Sequence, residues 1–415
     1  MYVQDDWTIR PDFRFSLGLR YEWQNNIHFW KDLAPRLSVA WAPGDPKRKK
    51  TAVRFGFGIF YDRFSEKLTL QAVRQDGLNQ QQYQVRNPDF FPTGSTVQAL
   101  GDQLPATIRR VASDLRAPHI TQTSIGIERL LPLKTTVAST FTISRGLNLL
   151  RSRNINAPLP GTFVPGDVTS GIRPYGPGNI FVYESRGSLK QSQWNTNVNS
   201  RLHQNLTLSV LYVLNAATSD TDGPTTFPAN PYDDSIEYGR SILDERHRLV
   251  VNATIAAPRG FQFSPYIVAR SGTPYNITSG RDINGDTLLT ERPALAVHLN
   301  SPGTVITRFG ALDPNPPPSE EIMSRNSARA TGYFTVNAKL SKTFGFGTSR
   351  AAPPKSAVSS GAEQPYNFTL SVSARNLLNR VNRATPIGNL ASPIFGTATS
   401  LADTYAPAPG AGNRR

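Results

Sequence analysis

The chain contains no cysteine among its 415 residues. This absence excludes disulfide bonds, thiolate zinc sites and cysteine nucleophiles. The histidines are few and show no metal-ligand spacing; they are His28, His119, His203, His247 and His298. The sequence also has no G-x-S-x-G motif, no nucleophile paired with a base and no glycine-rich phosphate loop. We therefore predict that the protein is not an enzyme and has no organic cofactor.

Long apolar runs are absent as well. No segment approaches the roughly 20 consecutive apolar residues of a membrane-spanning helix, and the mean hydropathy is -0.37. A transmembrane β-barrel is still possible, because its strands alternate apolar and polar residues and contain no long apolar run. The first residues, MYVQDDWTIR, lack the basic, apolar and cleavage regions of a signal peptide. They resemble the middle of a strand, so we expect the chain to be a fragment.

The net charge is +15, a balance that makes nucleic acid the first partner to consider. The basic residues are not gathered on one face or tail, however. Many arginines occur singly inside alternating segments, and only PKRKK (46–50) forms a cluster. We expect no nucleic-acid partner, and a soluble basic protein that binds polyanions stays open as an alternative.

Alternation is the dominant pattern in the sequence. In FRFSLGLRYEW (13–23) every odd position is apolar, and TAVRFGFGIFY (51–61) and NLTLSVLYVL (205–214) repeat the pattern. Period two predicts β-strands with one apolar and one polar face. About twelve strands are predicted, at 2–10, 13–23, 34–43, 51–62, 120–131, 135–147, 186–202, 205–218, 244–257, 261–277, 330–345 and 365–378.

The connectors between these strands alternate between short and long. Turns such as PD, PLK, HQ and PRG alternate with connectors of about ten to sixty residues. Such sorting favours an all-β fold, an antiparallel up-and-down transmembrane β-barrel with short periplasmic turns and long extracellular loops. Eleven residues at about 3.3 Å each, tilted by about 45°, also match a lipid-facing band about 25 Å tall.

In such a barrel the two strand faces meet different surroundings. The apolar face contacts lipid, and polar or charged side chains line the lumen. The arginines predicted to face the lumen are Arg14, Arg20, Arg54 and Arg375. The aromatics predicted at the membrane interfaces are Trp7 and Trp41 at the turn end, and Tyr21, Trp23, Tyr61 and Tyr212 at the loop end.

Several segments carry a family resemblance. YVQDDWTIRPDFRFSLGLRYEW (2–23), LAPRLSVAWAP (33–43) and SARNLLNRVN (373–382) resemble TonB-dependent outer-membrane receptors. SGTPYNITSGRDINGDT (271–287) and SPIFGTATS (392–400) are most similar to the Oar-like branch. The resemblance implies a barrel of about 22 strands around a plug domain, and ligand uptake across the cell outer membrane driven by a TonB-type coupling complex.

The chain departs from the family pattern at both ends. It shows no signal peptide, coupling box or plug, and it stops at AGNRR (411–415), where relatives continue into a last strand. We therefore predict that residues 1–415 are a partial receptor barrel. The partners implied are the outer-membrane bilayer, a plug domain, the coupling complex and an unknown small-molecule or oligomeric ligand. A structural or adhesive barrel without transport is the main alternative.

One loop carries a metal-binding pattern. RDINGDT (281–287) places Asp282, Asn284 and Asp286 at alternate positions, as the first oxygen ligands of a calcium loop are placed. The full calcium-loop pattern has a carboxylate at position 12, but that position is Pro293 here, and Glu291 is a displaced substitute. A plain Asx turn is the alternative. The acidic segments DTDG (220–223) and NPYDD (230–234) are open to the same two interpretations, a ligand site or a solvated loop.

Overall fold

The computed structural model describes residues 1–27, 29–44, 50–80, 82, 107–167, 170–298, 303–317, 320–347 and 366–402. Its main elements are twelve long strands. They are β1 (Tyr2–Arg10), β2 (Phe13–Glu22), β3 (Asp32–Trp41), β4 (Thr51–Tyr61), β5 (His119–Leu131), β6 (Thr135–Asn154), β7 (Ile180–His203), β8 (Leu206–Ser219), β9 (His247–Ala257), β10 (Phe261–Arg270), β11 (Tyr333–Phe346) and β12 (Tyr366–Ala374).

Each long strand pairs antiparallel with the next, so the sheet is one continuous meander from β1 to β12. Two short strands join it: Ile108–Val111 runs parallel to β7, and Gly239–Arg240 pairs antiparallel with β8. In the described part of the chain the sheet is not closed, because β1 and β12 each have one long neighbour. The predicted antiparallel up-and-down architecture of about twelve strands is confirmed.

The connections sort to the two ends of the sheet. Short turns at 11–12, 132–134, 204–205 and 258–260 lie at one end, called here the turn end. The last of these needs glycine, because Gly260 has φ +76° and a Cβ there would lie 2.6 Å from the carbonyl oxygen of Thr343. The connections that follow β2, β4, β6, β8 and β10 lie at the opposite end, the loop end. The PKRKK cluster falls mostly outside the described residues.

The strand register separates an apolar from a polar face. On the apolar face, Leu17 lies opposite Leu37, which lies opposite Phe57. On the other face, Ser16 lies opposite Ser38, which lies opposite Gly56. The apolar face is exposed rather than packed, as the 56% exposure of Ile125 at the centre of β5 illustrates. The sheet therefore has no interior core of its own.

Buried residues concentrate at the loop end instead. Strands β6 and β7 are longer than predicted, at 20 and 24 residues, and register shifts after Gly146 mark where they leave the regular sheet. Beyond that point residues 180–184 are all buried. One apolar cluster there contains Ile27, Phe64, Leu68, Leu115, Ala117 and Tyr183. A second contains Tyr275, Ile277, Leu312, Ala328 and Leu390.

The loop end also holds the remaining regular elements. Helix α1 (Glu66–Arg74) buries Ala72 and Leu68, and Leu68 belongs to the first apolar cluster. The other elements there are the short strands Pro274–Tyr275, Ala294–Leu295, Val305–Thr307, Gly310–Asp313 and Ala328–Arg329, and the 3-10 turn Ser235–Glu237, whereas the 3-10 turn Pro258–Gly260 lies at the turn end. Among the described residues, no helix has the length and hydropathy that crossing a membrane requires.

Several predicted strand ends need correction. The strand predicted at 261–277 stops at Arg270, because the chain there turns into the loop end, where Tyr275 and Ile277 are buried. The strand predicted at 365–378 stops at Ala374, so Arg375 lies just past β12 rather than within it. Trp23 likewise lies just past β2.

Candidate functional site

Three loops at the loop end pack into one unit, which we call the loop assembly: residues 155–179, 220–246 and 271–332. Arginines of the last loop pair with acids of the middle one. The pairs are Arg292–Glu237 at 2.9 Å, Arg325–Asp222 at 2.6 Å and Arg329–Asp244 at 2.6 Å. In the first two pairs both side chains are at most 7% exposed. Buried charges of this kind need partners, so each pair ties one loop to the other.

The long β6–β7 hairpin joins the same network. Arg151 donates from Nε to Glu184 at 2.7 Å and from Nη2 to Asp234 at 2.5 Å. Asp222 and Asp234 belong to the acidic segments that the sequence left open between a ligand site and a solvated surface. Both are partners of arginines. Their first role is therefore to hold the loop assembly together.

An acidic cluster lies inside this assembly. One carboxylate oxygen from each of Asp282, Asp286 and Glu291 lies within 4.8 Å of the others. Asp286 is fully buried and Glu291 is 6% exposed. The structure thus brings together two of the three residues predicted from the calcium-loop pattern, together with the displaced Glu291.

Backbone amides shape the loop that presents these carboxylates. Asp282 accepts hydrogen bonds from the amides of Gly285 (2.7 Å) and Thr287 (3.0 Å). Asp286 Oδ1 accepts one from Leu288 at 2.8 Å. Asn284 faces its own loop and a neighbour: Oδ1 accepts from the amide of Asp286, and Nδ2 donates to the carbonyl of Ala229. Asn284 therefore fixes the loop's shape and its attachment to the middle loop.

Glu291 is the third member of the cluster. Its Oε1 accepts a hydrogen bond from the amide of Ile283 at 2.9 Å, whereas its buried Oε2 has no hydrogen-bond partner. Burial, with the charge of Asp286 next in importance, raises the pKa of Glu291 to about 8. A carboxyl in this position is protonated over much of the neutral range unless a positive charge enters the cluster.

Residues far away in the sequence support the cluster from outside. Arg173 donates to the carbonyl of Gly285 at 2.7 Å, and Asn154 donates to the carbonyl of Asp286 at 3.2 Å. Burial lowers the pKa of Arg173, and the charges of Asp282 and Asp286 oppose that shift. No local sequence pattern predicts these supporting residues, because each is more than a hundred positions from the loop.

The predicted lumen arginines lie on or next to the polar face. Arg14, Arg20 and Arg54 have the parity of that face in β2 and β4, and Arg375 lies just beyond β12. Arg20 pairs with Glu22 at 2.5 Å, and Arg54 pairs with Glu128 at 2.6 Å. Their orientation toward a lumen stays a prediction.

Five of the six predicted interfacial aromatics have the strand parity of the apolar face, and the sixth, Trp23, lies just past the end of β2. Trp7 stacks on Phe15 with 5.4 Å between ring centroids. The exposed members are Trp7, Tyr21, Trp23, Trp41 and Tyr212, with exposures of 37–64%. Tyr61 differs, because it packs against the first apolar cluster and His119. Their contact with membrane interfaces also stays a prediction.

An open cleft of about 770 Å³ lies between α1 and the loop after β2. Its lining combines apolar side chains, including Trp23 and Leu70, with Arg63 and Lys67. It is a second candidate for ligand contact at the loop end, although it is shallower and more exposed than the acidic cluster.

Comparisons with known proteins agree with this architecture. A family model described as an outer membrane beta barrel domain matches residues 27–407. No curated protein matches the sequence. The chain is similar in fold to the crystal structure of the outer membrane transporter YddB from Escherichia coli, with a TM-score of 0.51, 10% identity, and coverage of 89% of this chain and 40% of that one.

Two further solved structures are similar at lower scores. The ferric enterobactin receptor PfeA from Pseudomonas aeruginosa has a TM-score of 0.49 at 12% identity, covering 92% of this chain and 40% of that one. The FrpB iron transporter from Neisseria meningitidis has a TM-score of 0.41 at 11% identity, and the match covers 82% of this chain and 37% of that one. The chain thus spans about two fifths of the length of these structures. Since the family model covers most of the sequence and the sheet is the expected meander, the chain belongs to the outer membrane beta barrel domain family and is an outer-membrane protein.

Proposed function

We propose that this chain is the barrel portion of a TonB-dependent receptor, which recognises a ligand at its loop end and takes it across the outer membrane in an energised step. The loop assembly is the observation that carries the proposal. A barrel that only filled the membrane would have no need of long loops tied together by buried ion pairs. A receptor needs a preorganised surface that keeps its shape before the ligand arrives.

The two faces of the sheet fit this role. In hydrocarbon every backbone amide and carbonyl must pair within the sheet, and exposed apolar side chains are then favoured on the outside. We assign the apolar face to lipid and the polar face, with Arg14, Arg20 and Arg54, to the lumen. Positive side chains there would attract anionic solutes or contact a plug domain. The aromatic residues at both strand ends would lie at the membrane interfaces.

The likeness in fold to a transporter supports the proposal at the level of architecture. YddB is an outer membrane transporter whose chain is much longer than the segment matched here. On the proposal, this sheet is part of a larger barrel that surrounds a plug, and a TonB-type complex drives uptake. The Oar-like branch and the identity of the ligand belong to the proposal as well.

Uptake by whole cells tests this function. The intact protein is produced in a Gram-negative strain that lacks its own receptors, and accumulation of labelled ferric siderophore, cyanocobalamin and maltooligosaccharide is measured with and without a protonophore. We expect one probe to accumulate above the empty-vector strain and the protonophore to abolish the gain. Accumulation that is the same with and without the protonophore would indicate a passive pore. Surface binding without accumulation would favour the adhesive alternative.

A further inference from the structure

The acidic cluster has an arrangement that a bound cation would explain. Three carboxylates converge within 4.8 Å in a buried region of the loop assembly. Burying like charges together is costly unless a counter-charge enters. Oxygen ligands of one calcium ion, each at about 2.3–2.6 Å, can lie up to about 5 Å apart, so this span fits the ion.

The surroundings of Glu291 provide a second observation in favour of a bound cation. Its residue is 6% exposed, and its buried Oε2 has no hydrogen-bond partner. An unpaired buried carboxylate oxygen costs free energy, and native proteins rarely leave one without a compensating ligand. Because Glu291 belongs to the three-carboxylate cluster, a cation bound there would contact its buried carboxylate.

From this geometry we propose that Asp282, Asp286 and Glu291 bind one Ca²⁺ ion, which fastens the loop 271–332 within the loop assembly. Arg173 supplies part of the counter-charge through its position beside the loop. Asn284 keeps the loop in shape and tied to Ala229 rather than acting as the principal ligand.

Calcium is favoured over magnesium by the ligand set. Carboxylates held by backbone amides in an irregular loop suit the flexible six- to eight-oxygen shell of Ca²⁺. Mg²⁺ demands a near-ideal octahedron at about 2.0–2.1 Å and keeps most of its water. A site built from three carboxyls, of which Asp286 and Glu291 are buried, offers little room for that water.

Titration calorimetry on the intact protein in detergent micelles tests the proposal. After treatment with EDTA and its removal, CaCl₂ is titrated into wild type and into the variants Glu291→Gln and Asp286→Asn. We expect saturable binding of about one ion with an affinity near the 0.1–1 mM of extracellular calcium modules, weakened about tenfold or more in both variants. Glu321→Gln is the matched control, because Glu321 is exposed in the same loop.

Several outcomes would overturn the assignment. They are the absence of saturable binding to wild type up to about 10 mM CaCl₂, equal affinity for MgCl₂, and unchanged affinity in both variants. If a variant does not fold, as judged by its circular dichroism in EDTA, the titrations of wild type with CaCl₂ and MgCl₂ still test whether the site binds calcium. Protease protection of the loop 271–332 by CaCl₂, lost in Glu291→Gln and kept in Glu321→Gln, would support the fastening role.

Discussion

The strands and the loop assembly distribute apolar and charged side chains in opposite ways. The strands expose large apolar residues, such as Ile125 at 56% and Trp194 at 52%. The loop assembly buries charged ones, such as Arg292 and Glu237 at 2% each. This contrast is expected if the strands meet lipid and the loops meet water, as proposed above. Where lipid surrounds the sheet, burial of apolar surface cannot hold it together, and the backbone ladder must do so.

Inside the loop assembly, buried ion pairs accompany the second apolar cluster, so its stability rests in part on satisfied charges. A buried ion pair is not in itself strongly stabilising, because desolvation offsets the attraction. Losing one partner is nevertheless severe, because the other charge then stays buried without compensation. The strands should therefore be sensitive to charge added on the apolar face, and the loops to charge removed from their interior.

Removal of a buried loop charge should have the largest effect. Glu237→Ala leaves Arg292 buried without its carboxylate and should cost the loop assembly about 3–5 kcal/mol. Hydrogen exchange of the amides in 220–246, measured in detergent micelles, should accelerate accordingly. Glu321→Ala is the exposed control and should leave exchange unchanged. Equal protection in wild type and Glu237→Ala would contradict the idea that this pair holds the loops.

A charge added to the apolar face should have the second-largest effect on stability. Ile125→Arg places a guanidinium at the centre of β5 on the exposed apolar face, which should cost about 2–4 kcal/mol if that face meets the bilayer. The measurement is urea unfolding from lipid vesicles. Ser38→Arg puts the same charge on the polar face, where it should be nearly neutral. Similar costs for both variants would argue against the assignment of the two faces.

The sequence predicted the strands far better than the loops, for a physical reason. Alternation is a local signal, and a strand such as β2 shows its full pattern within ten residues. The partners in the loop assembly are distant instead: Arg325 and Asp222 are 103 positions apart. The calcium-loop pattern found Asp282 and Asp286, which are local, and Glu291 as a substitute, but it could not foresee Arg173. Helix α1 was missed because its apolar stripe is short.

A third, intermediate effect concerns the glycine beneath the acidic cluster. A Cβ at Gly285 would lie 2.5 Å from the ring of Phe163, and its φ of +76° already disfavours other residues. We expect Gly285→Ala to destabilise the loop assembly by about 1–3 kcal/mol, seen as faster proteolysis of 271–332. Gly166→Ala separates the two causes, because Gly166 also has a positive φ but nothing within 4 Å of its Cβ position. If both variants behave alike, the contact with Phe163 has no role.

The smallest effect should come from an ion pair on the polar face. Arg54–Glu128 and Arg325–Asp222 have the same separation, 2.6 Å, and differ in burial: the side chains of the first pair are 57% and 39% exposed, those of the second 5% and 7%. Arg54→Met should therefore change stability by no more than about 1 kcal/mol, whereas Arg325→Met should approach the cost predicted for Glu237→Ala. Urea unfolding and loop proteolysis of both variants make the comparison. Equal costs would mean that the surroundings of the polar face exclude water as effectively as the loop assembly does, as a plug filling the lumen would, and a small cost for Arg54→Met would place that pair in contact with water.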